Sequence, residues 1–200
     1  MRGYQKTDMQ DLAELRREAQ SLASWASADL PNDHDPKWHE FGVLGHIEKV
    51  FRNAMKIKDK TGIDVVKVAL WHDIGKFCTR RAKSNKSGEF SFKCHEEASA
   101  AYLRGKYPTQ FDDEELFLIA NHAVIRGDST AEQIVDLCNG KMDILKRLVF
   151  LCAADISGKG FTPDQRKQRE EIAHKFSALA LQAGLTSDLA KLVQQIVLTW

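Results

Sequence analysis

The stretch VALWHDIGKF, Val68–Phe77, sets an apolar run against residues that resist burial. Six of the seven residues from Val65 to Trp71 are apolar, which reads as a helix buried nearly all round. That helix runs directly into His72 and Asp73, with Lys76 one turn later. A buried imidazole and a buried carboxylate are costly unless each finds a partner. The rest of the chain should therefore supply one.

The other apolar helices end in the same way. A helix capped by Asp112 and Glu115 is strongly apolar from Leu116 to Ile119 and ends on Asn121–His122. The run DILKRLVFLCAADI, from Asp143, ends on Asp155. His46 sits between Leu44 and Ile47 on the apolar side of a helix marked by Val43, Ile47, Val50, Ala54 and Ile57. His95 closes a basic loop and opens a helix that ends by Gly105. A single buried histidine is ordinarily a satisfied core residue, and a single aspartate at a helix end is ordinarily a cap. Six such groups at the inner ends of apolar helices are the donor set of a divalent metal of the Mn, Fe, Co, Ni or Zn group, with Mg a further option.

The remaining chain reads as helices joined by breakers. Thr7 and Gln10 form a capping box for a first helix to about Ala28, and LPNDHDP interrupts. A second helix is expected from about Lys37 to Lys60, closed by Gly62, and the His72–Asp73 helix from Asp64 to about Gly75. Ser129 with Glu132 caps a short helix. Thr162, Pro163 and Gln165 start a long one, and the last opens at Thr186–Asp188. No strand shows period-two alternation. The fold class is all-α: a single-domain helical bundle of about 8–9 helices over 1–200, core about 37–159, with flanking helices 8–28 and 163–200.

Composition is that of an ordinary globular chain: 43% apolar, 28% charged, net charge +1. No global field draws it to duplex nucleic acid or to a membrane, and no apolar run reaches the roughly 20 residues of a span. The N-terminal stretch lacks a signal-peptide core, so the expected location is cytoplasmic. The four cysteines, Cys78, Cys94, Cys138 and Cys152, form no C-x-x-C pair and read as free thiols, with Cys138 and Cys152 in the core.

The ordered set His46, His72–Asp73, His95, His122 and Asp155 resembles the H…HD…H…H…D pattern of the HD-domain superfamily of metal-dependent phosphohydrolases. It appears in LGHIEKV, ALWHDIGKF, FKCHEEASAA, IANHAVIRGD and CAADISGKG, from about Phe41 to Lys159. A second HD dipeptide, His34–Asp35, stands before Pro36 in a breaker-rich loop, leads into no buried helix and is read as a decoy. HDIGKFCTRR and FSFKCHEEASA are similar to the HD domain attached to bacterial CCA-adding enzymes, here without a nucleotidyltransferase part. The resemblance implies one metal on His46, His72, Asp73 and Asp155. It implies a second on His95 and His122, bridged by Asp73, which would also be the catalytic carboxylate.

The implied activity is hydrolysis of a nucleotide or RNA-end phosphoester, either a monoester or a 2′,3′-cyclic diester. The partner is then a small phosphorylated substrate. Lys76, four residues after His72 and on the same face, is the candidate phosphate clamp and second catalytic residue. Arg126 follows His122, and Lys159 follows Asp155, at the same spacing; both are candidates for substrate contact or solvated charges. Arg80 and Arg81 belong to the basic stretch Lys76–Lys93 and are candidates on the same terms. His39 is read as structural, although it shares a face with His46. Two rival classes carry the same donor set: a mixed-valent di-iron oxygenase of the inositol-oxygenase and phosphonate-cleaving type, and a non-catalytic metal- or nucleotide-binding module.

Overall fold

In the computed structural model every residue from Leu148 to Gly160 is buried, so one helix forms the axis on which the others pack. The structure describes residues 6–23, 34, 37–83 and 90–200; the side chains of residues 6–9 and 165 are outside the description. Within it run α1 (Lys6–Leu22), α2 (Val43–Thr61), α3 (Val66–Trp71), α4 (Lys76–Thr79), α5 (His95–Lys106), α6 (Asp113–Ala120), α7 (Ala131–Leu137), α8 (Met142–Gly158), α9 (Pro163–Gln182) and α10 (Ser187–Thr199). A 3₁₀ turn covers Val124–Arg126. The fold is all-α, as expected, with ten helices among the described residues because the His72–Asp73 element divides.

That division positions the site. The helix expected to reach Gly75 ends at Trp71, and residues 72–75 form turns before the single turn of α4. Gly75 is the reason the turn closes. Its N–H donates to Ser99 Oγ at 2.8 Å, and a Cβ there would lie 2.4 Å from the His95 carbonyl and 2.5 Å from Ser99 N. The missing side chain lets the start of α5, and with it His95, lie directly on the His72–Asp73 turn.

α2 crosses α8 at a second close approach. A Cβ on Gly158 would fall 2.4 Å from Val50 Cγ2. Beside it, buried Asn53 donates from Nδ2 to Ser157 Oγ at 2.8 Å. α2 itself begins at Val43, six residues later than Lys37, because the chain from Lys37 to Gly42 turns under the site instead. It closes on Gly62 in the left-handed conformation, φ 75°, as its sequence signals.

The Asp112–Glu115 capping box is present as expected, and Pro163 is the first residue of α9. The α7 cap is displaced by one residue: Thr130 and Gln133 make the reciprocal bonds, not Ser129 and Glu132. α1 ends at Leu22 rather than Ala28, and residues 24–28 lie outside the described residues. It already includes Thr7 at its second position, whose side chain is likewise outside the description. In the basic loop, read as strandless, Arg81–Ala82 and Phe90–Ser91 pair as a two-residue antiparallel ribbon, β1 and β2. Among the described residues no helix is long and apolar enough to cross a membrane. Cys138 and Cys152 are buried, and Cys78 and Cys94 exposed.

Gly75→Ala is expected to cost about 1–3 kcal/mol, the scale of an overpacked core contact. Gly105→Ala, where a Cβ meets nothing within 4 Å, should be neutral or stabilising by about 0.5–1 kcal/mol. Paired denaturant melts read both, and equal midpoints for the two variants would contradict the close-approach role of Gly75.

Candidate metal centre

Three helices deliver their C-terminal ends to one place: α3 through His72 and Asp73, α6 through His122, and α8 through Asp155. The carbonyl ends of helices carry partial negative charge and favour a cation. α2 adds His46 from its first turn, and α5 adds His95 as its first residue.

Asp73 is the centre of this arrangement. Its Oδ2 lies 3.2 Å from His46 Nε2 and 3.2 Å from His72 Nε2. Its Oδ1 lies 3.1 Å from His95 Nε2 and 3.5 Å from His122 Nε2. The two oxygens of one carboxylate thus face two different histidine pairs. Asp155 Oδ1 joins the first pair, 3.0 Å from His46 Nε2 and 3.6 Å from His72 Nε2, and those two nitrogens are 3.4 Å apart. Donors about 2.1 Å from one ion stand roughly 3.0–3.4 Å from each other along the edges of an octahedron or tetrahedron, so the spacing fits a metal.

The ring nitrogens are committed in the same sense. His72, His95 and His122 each donate Nδ1–H to a carbonyl three residues back, Ala69, Phe92 and Ile119, each at 2.7 Å. This leaves each Nε2 as a lone pair turned toward Asp73, the tautomer a metal needs. Both oxygens of Asp73 and Nε2 of His95 are buried without a properly directed hydrogen bond, although charges crowd around them at ion-pair distance. Orphaned donors and acceptors of this kind, converging from five elements, are the fit expected for a bound divalent ion. The groups His46–His72–Asp73 and Asp73–His95–His122 each satisfy it.

The electrostatics agree. Burial opposes ionisation of Asp73, yet His72 and Lys76 hold its carboxyl well below the usual carboxylate range. Burial likewise opposes ionisation of Asp155, and Arg126 and His46 overcome it. Burial alone would depress His72, but Asp73 and Asp155 outweigh it and push the imidazole up to about 9. In His122 burial prevails over Asp73 and lowers the pKa. Without metal, a proton on His72 therefore occupies the place of the cation.

The basic residues singled out from the sequence are placed unevenly. Lys76 is not a free clamp: it is buried, with Nζ 2.7 Å from Asp73 Oδ2 and 3.0 Å from His34 Nε2. Arg126 joins Asp155, Nη2 to Oδ2 at 3.2 Å, and Lys159 is buried one turn beyond Asp155 rather than solvated. Arg80 stacks its guanidinium 3.4 Å over the Phe90 ring, and Arg81 is exposed on β1.

Two residues set aside from the sequence belong to the wall of the centre. His34, read as part of a decoy, is buried against Lys76 and stacks on His39 with ring centroids 3.3 Å apart; His39 meets His46 edge-on at 5.0 Å. Burial, with the nearby charge of Lys76, keeps both well below the ordinary histidine value. A breaker-rich stretch carries no periodicity, so nothing in the sequence signalled that His34 is buried. Arg169, on α9, is buried as well, its Nη2 donating to the Ile156 carbonyl of α8. Its signal was present: Arg169, Ala173, Phe176 and Ala180 share one helical stripe, all buried.

A hollow of about 300 Å³ opens beside His95 and His122, lined by Cys94, Glu96, Glu97 and Asn121. A larger one, about 440 Å³, lies at the opposite ends of α3, α6 and α8. Its charges are already paired, Lys67 with Glu115 at 2.7 Å and Lys146 with Asp143 at 3.1 Å, and no histidine lines it. The donors themselves line neither hollow; the first is bordered by the chain neighbours of His95 and His122.

A family model for the HD domain matches residues 43–157. The chain belongs to the HD domain family. Its members are typically metal-dependent phosphohydrolases, and all six donors fall inside the matched span, whereas His34, His39 and Arg169 fall outside it. No curated protein and no solved structure matches the chain.

The raised His72 pKa fixes a pH dependence for the metal-stripped protein. The folded state holds a proton that the unfolded chain releases near 6.5, so this stabilisation is complete below 6.5 and lost as pH rises through about 9. Metal binding requires neutral imidazole and should remove the decline. Thermal melts across that window, with and without divalent ions, measure it; a metal-free melting temperature that rises toward pH 9 would contradict the assignment.

Proposed function

We propose that this protein is a metal-dependent phosphohydrolase acting on a small nucleotide or RNA-end phosphoester, with two divalent ions per chain. The observation that carries the reading is the division of Asp73, whose Oδ2 faces His46 and His72 while Oδ1 faces His95 and His122. Bound there, divalent ions supply a water of lowered pKa and Lewis-acid contact to the phosphoryl oxygens.

The chain's own residues prepare that chemistry. Lys76 keeps Asp73 ionised and fixed from the Oδ2 side, and Arg126 does the same for Asp155. Lys76 is then a positioning residue for the bridging carboxylate before it is a phosphate contact. The carbonyls of Ala69, Phe92 and Ile119 hold three imidazoles in the ligating tautomer. The hollow beside His95 gives the leaving group a polar seat in which Asn121, its Nδ2 donating to Phe117 O, keeps Oδ1 to accept from a sugar hydroxyl. Arg80 and Arg81, on the ribbon that leads into α5, are kept as the candidate contacts to the outer part of a nucleotide.

His95→Ala and His122→Ala should each lower the metal-to-protein ratio from two to one and greatly slow turnover with the fold intact; elemental analysis giving one ion in wild type and both variants would end the two-ion model. Asp73→Ala should abolish hydrolysis across a panel of nucleoside monophosphates and 2′,3′-cyclic nucleotides, and lower metal content as well. No turnover of any panel member by the metal-loaded wild type, together with iron-dependent oxygen uptake, would replace the hydrolase with an oxygenase.

A further inference from the structure

Among the described residues Arg169 is one of the largest fully buried side chains, and it alone of these carries a charge. It is 1% exposed, and its Nε and Nη1 are buried with no hydrogen-bond partner. Among the described residues its guanidinium makes one hydrogen bond, Nη2 to the Ile156 carbonyl at 2.6 Å, one residue beyond Asp155. Among the described residues no carboxylate comes within ion-pair distance of it. Asp155, whose charge it feels, is already engaged by Arg126, His46 and His72. A buried guanidinium without a counterion is among the costliest arrangements a protein can hold, so the site is short of an anion.

The surroundings point the same way. Arg126 approaches Asp155 from the 3₁₀ turn with its own Nε buried and unpartnered, and Lys159 is buried one turn past Asp155. Lys76, Arg126, Lys159 and Arg169 outnumber Asp73, Asp155 and Glu40, whose Oε2 accepts from the Phe161 N–H at 3.2 Å, before any metal charge is added. α9 is tied to the 3₁₀ turn by Lys175, whose Nζ donates to the Gly127 carbonyl at 2.9 Å, so Arg126 and Arg169 are held around the same end of α8. The cover over Arg169 is the ring of Phe161, 4.6 Å from the guanidinium carbon and itself 43% exposed at the surface.

We infer that Arg169, with Arg126 beside it, is the seat for a doubly charged phosphate on the Asp155 side of the centre, reached when the Phe161 ring turns outward, and that the preferred substrate is a dianionic phosphomonoester rather than a monoanionic cyclic diester. The identity of the anion rests on the phosphohydrolase reading; the need for an anion rests on Arg169 alone. A forked guanidinium donates in parallel to two phosphate oxygens, and a second negative charge on the phosphate is matched by the excess of cations.

The test uses the full chain stripped of metal, so that no ion contributes to phosphate binding. Inorganic phosphate, methyl phosphate in its dianionic form and dimethyl phosphate are titrated by calorimetry against wild type, Arg169→Lys and Arg169→Met. Wild type should prefer methyl phosphate over dimethyl phosphate by at least about tenfold. Arg169→Met should weaken methyl phosphate about 10- to 100-fold, the value of one or two charge-assisted bonds, and erase the preference. Arg169→Lys should fall between them. Thermal melts monitor the fold, and Arg169→Met, which removes an unpaired buried charge, should melt no lower than wild type. Equal affinity of wild type for the two methyl esters overturns the inference without any variant, as does unchanged phosphate binding by Arg169→Met. Arg169-dependent phosphate binding in a protein that hydrolyses nothing on the panel would remove the hydrolase reading and keep this one; hydrolysis with Arg169-independent phosphate binding would do the reverse.

Discussion

A carboxylate with no solvent exposure, set between two pairs of imidazoles, is the constraint to which the rest of the molecule answers. Asp73 cannot be ionised inside an apolar bundle without compensation. Every element that reaches it brings a compensating group: His46 from α2, Lys76 from α4, His95 from α5 and His122 from the end of α6. The close approaches at Gly75 and Gly158 serve the same end, since each draws a histidine-bearing helix against the turn or helix carrying an aspartate. Packing and chemistry are therefore coupled. A change that loosens α5 on the Gly75 turn loosens half of the donor set.

The donors themselves were legible in the sequence because they break a pattern: a polar residue at the inner end of an apolar helix is conspicuous. The same contrast made the α6 capping box and the Gly62 stop readable. Boundaries near the site were less so. The residues of the α3 run suit a helix as far as Gly75, but the helix yields at His72, where the ring turns back to bond the Ala69 carbonyl and the chain must swing to bring Asp73 inward.

What surrounds the donors was legible only in part. Lys76 stands at helical spacing from His72, which placed it at the site without revealing that Asp73 and His34 take its ammonium. His34 lies in a segment with no periodicity, and its burial depends on the distant α4. Arg169 sits in QREEIAHKF, where charged neighbours make it look solvated. The apolar stripe running back from Phe176 places it inside, and a stripe of that kind is read more easily when every member is apolar. The donor pattern ends at Asp155, before α9, and so carries no signal for a residue on that later helix.

The three histidines that bond the carbonyl three residues behind them form a repeating local unit, and its consequence is modularity. In many metal centres a distant side chain orients each imidazole, and loss of the orienting group disables the ligand. Here the orienting acceptor is main chain from the same turn, present whatever residue occupies that position. Substitutions at residues 69, 92 and 119 can alter packing without removing the acceptor. The units tolerate sequence drift around them, and a helix end of this form could be grafted onto another bundle with its ligating nitrogen already chosen.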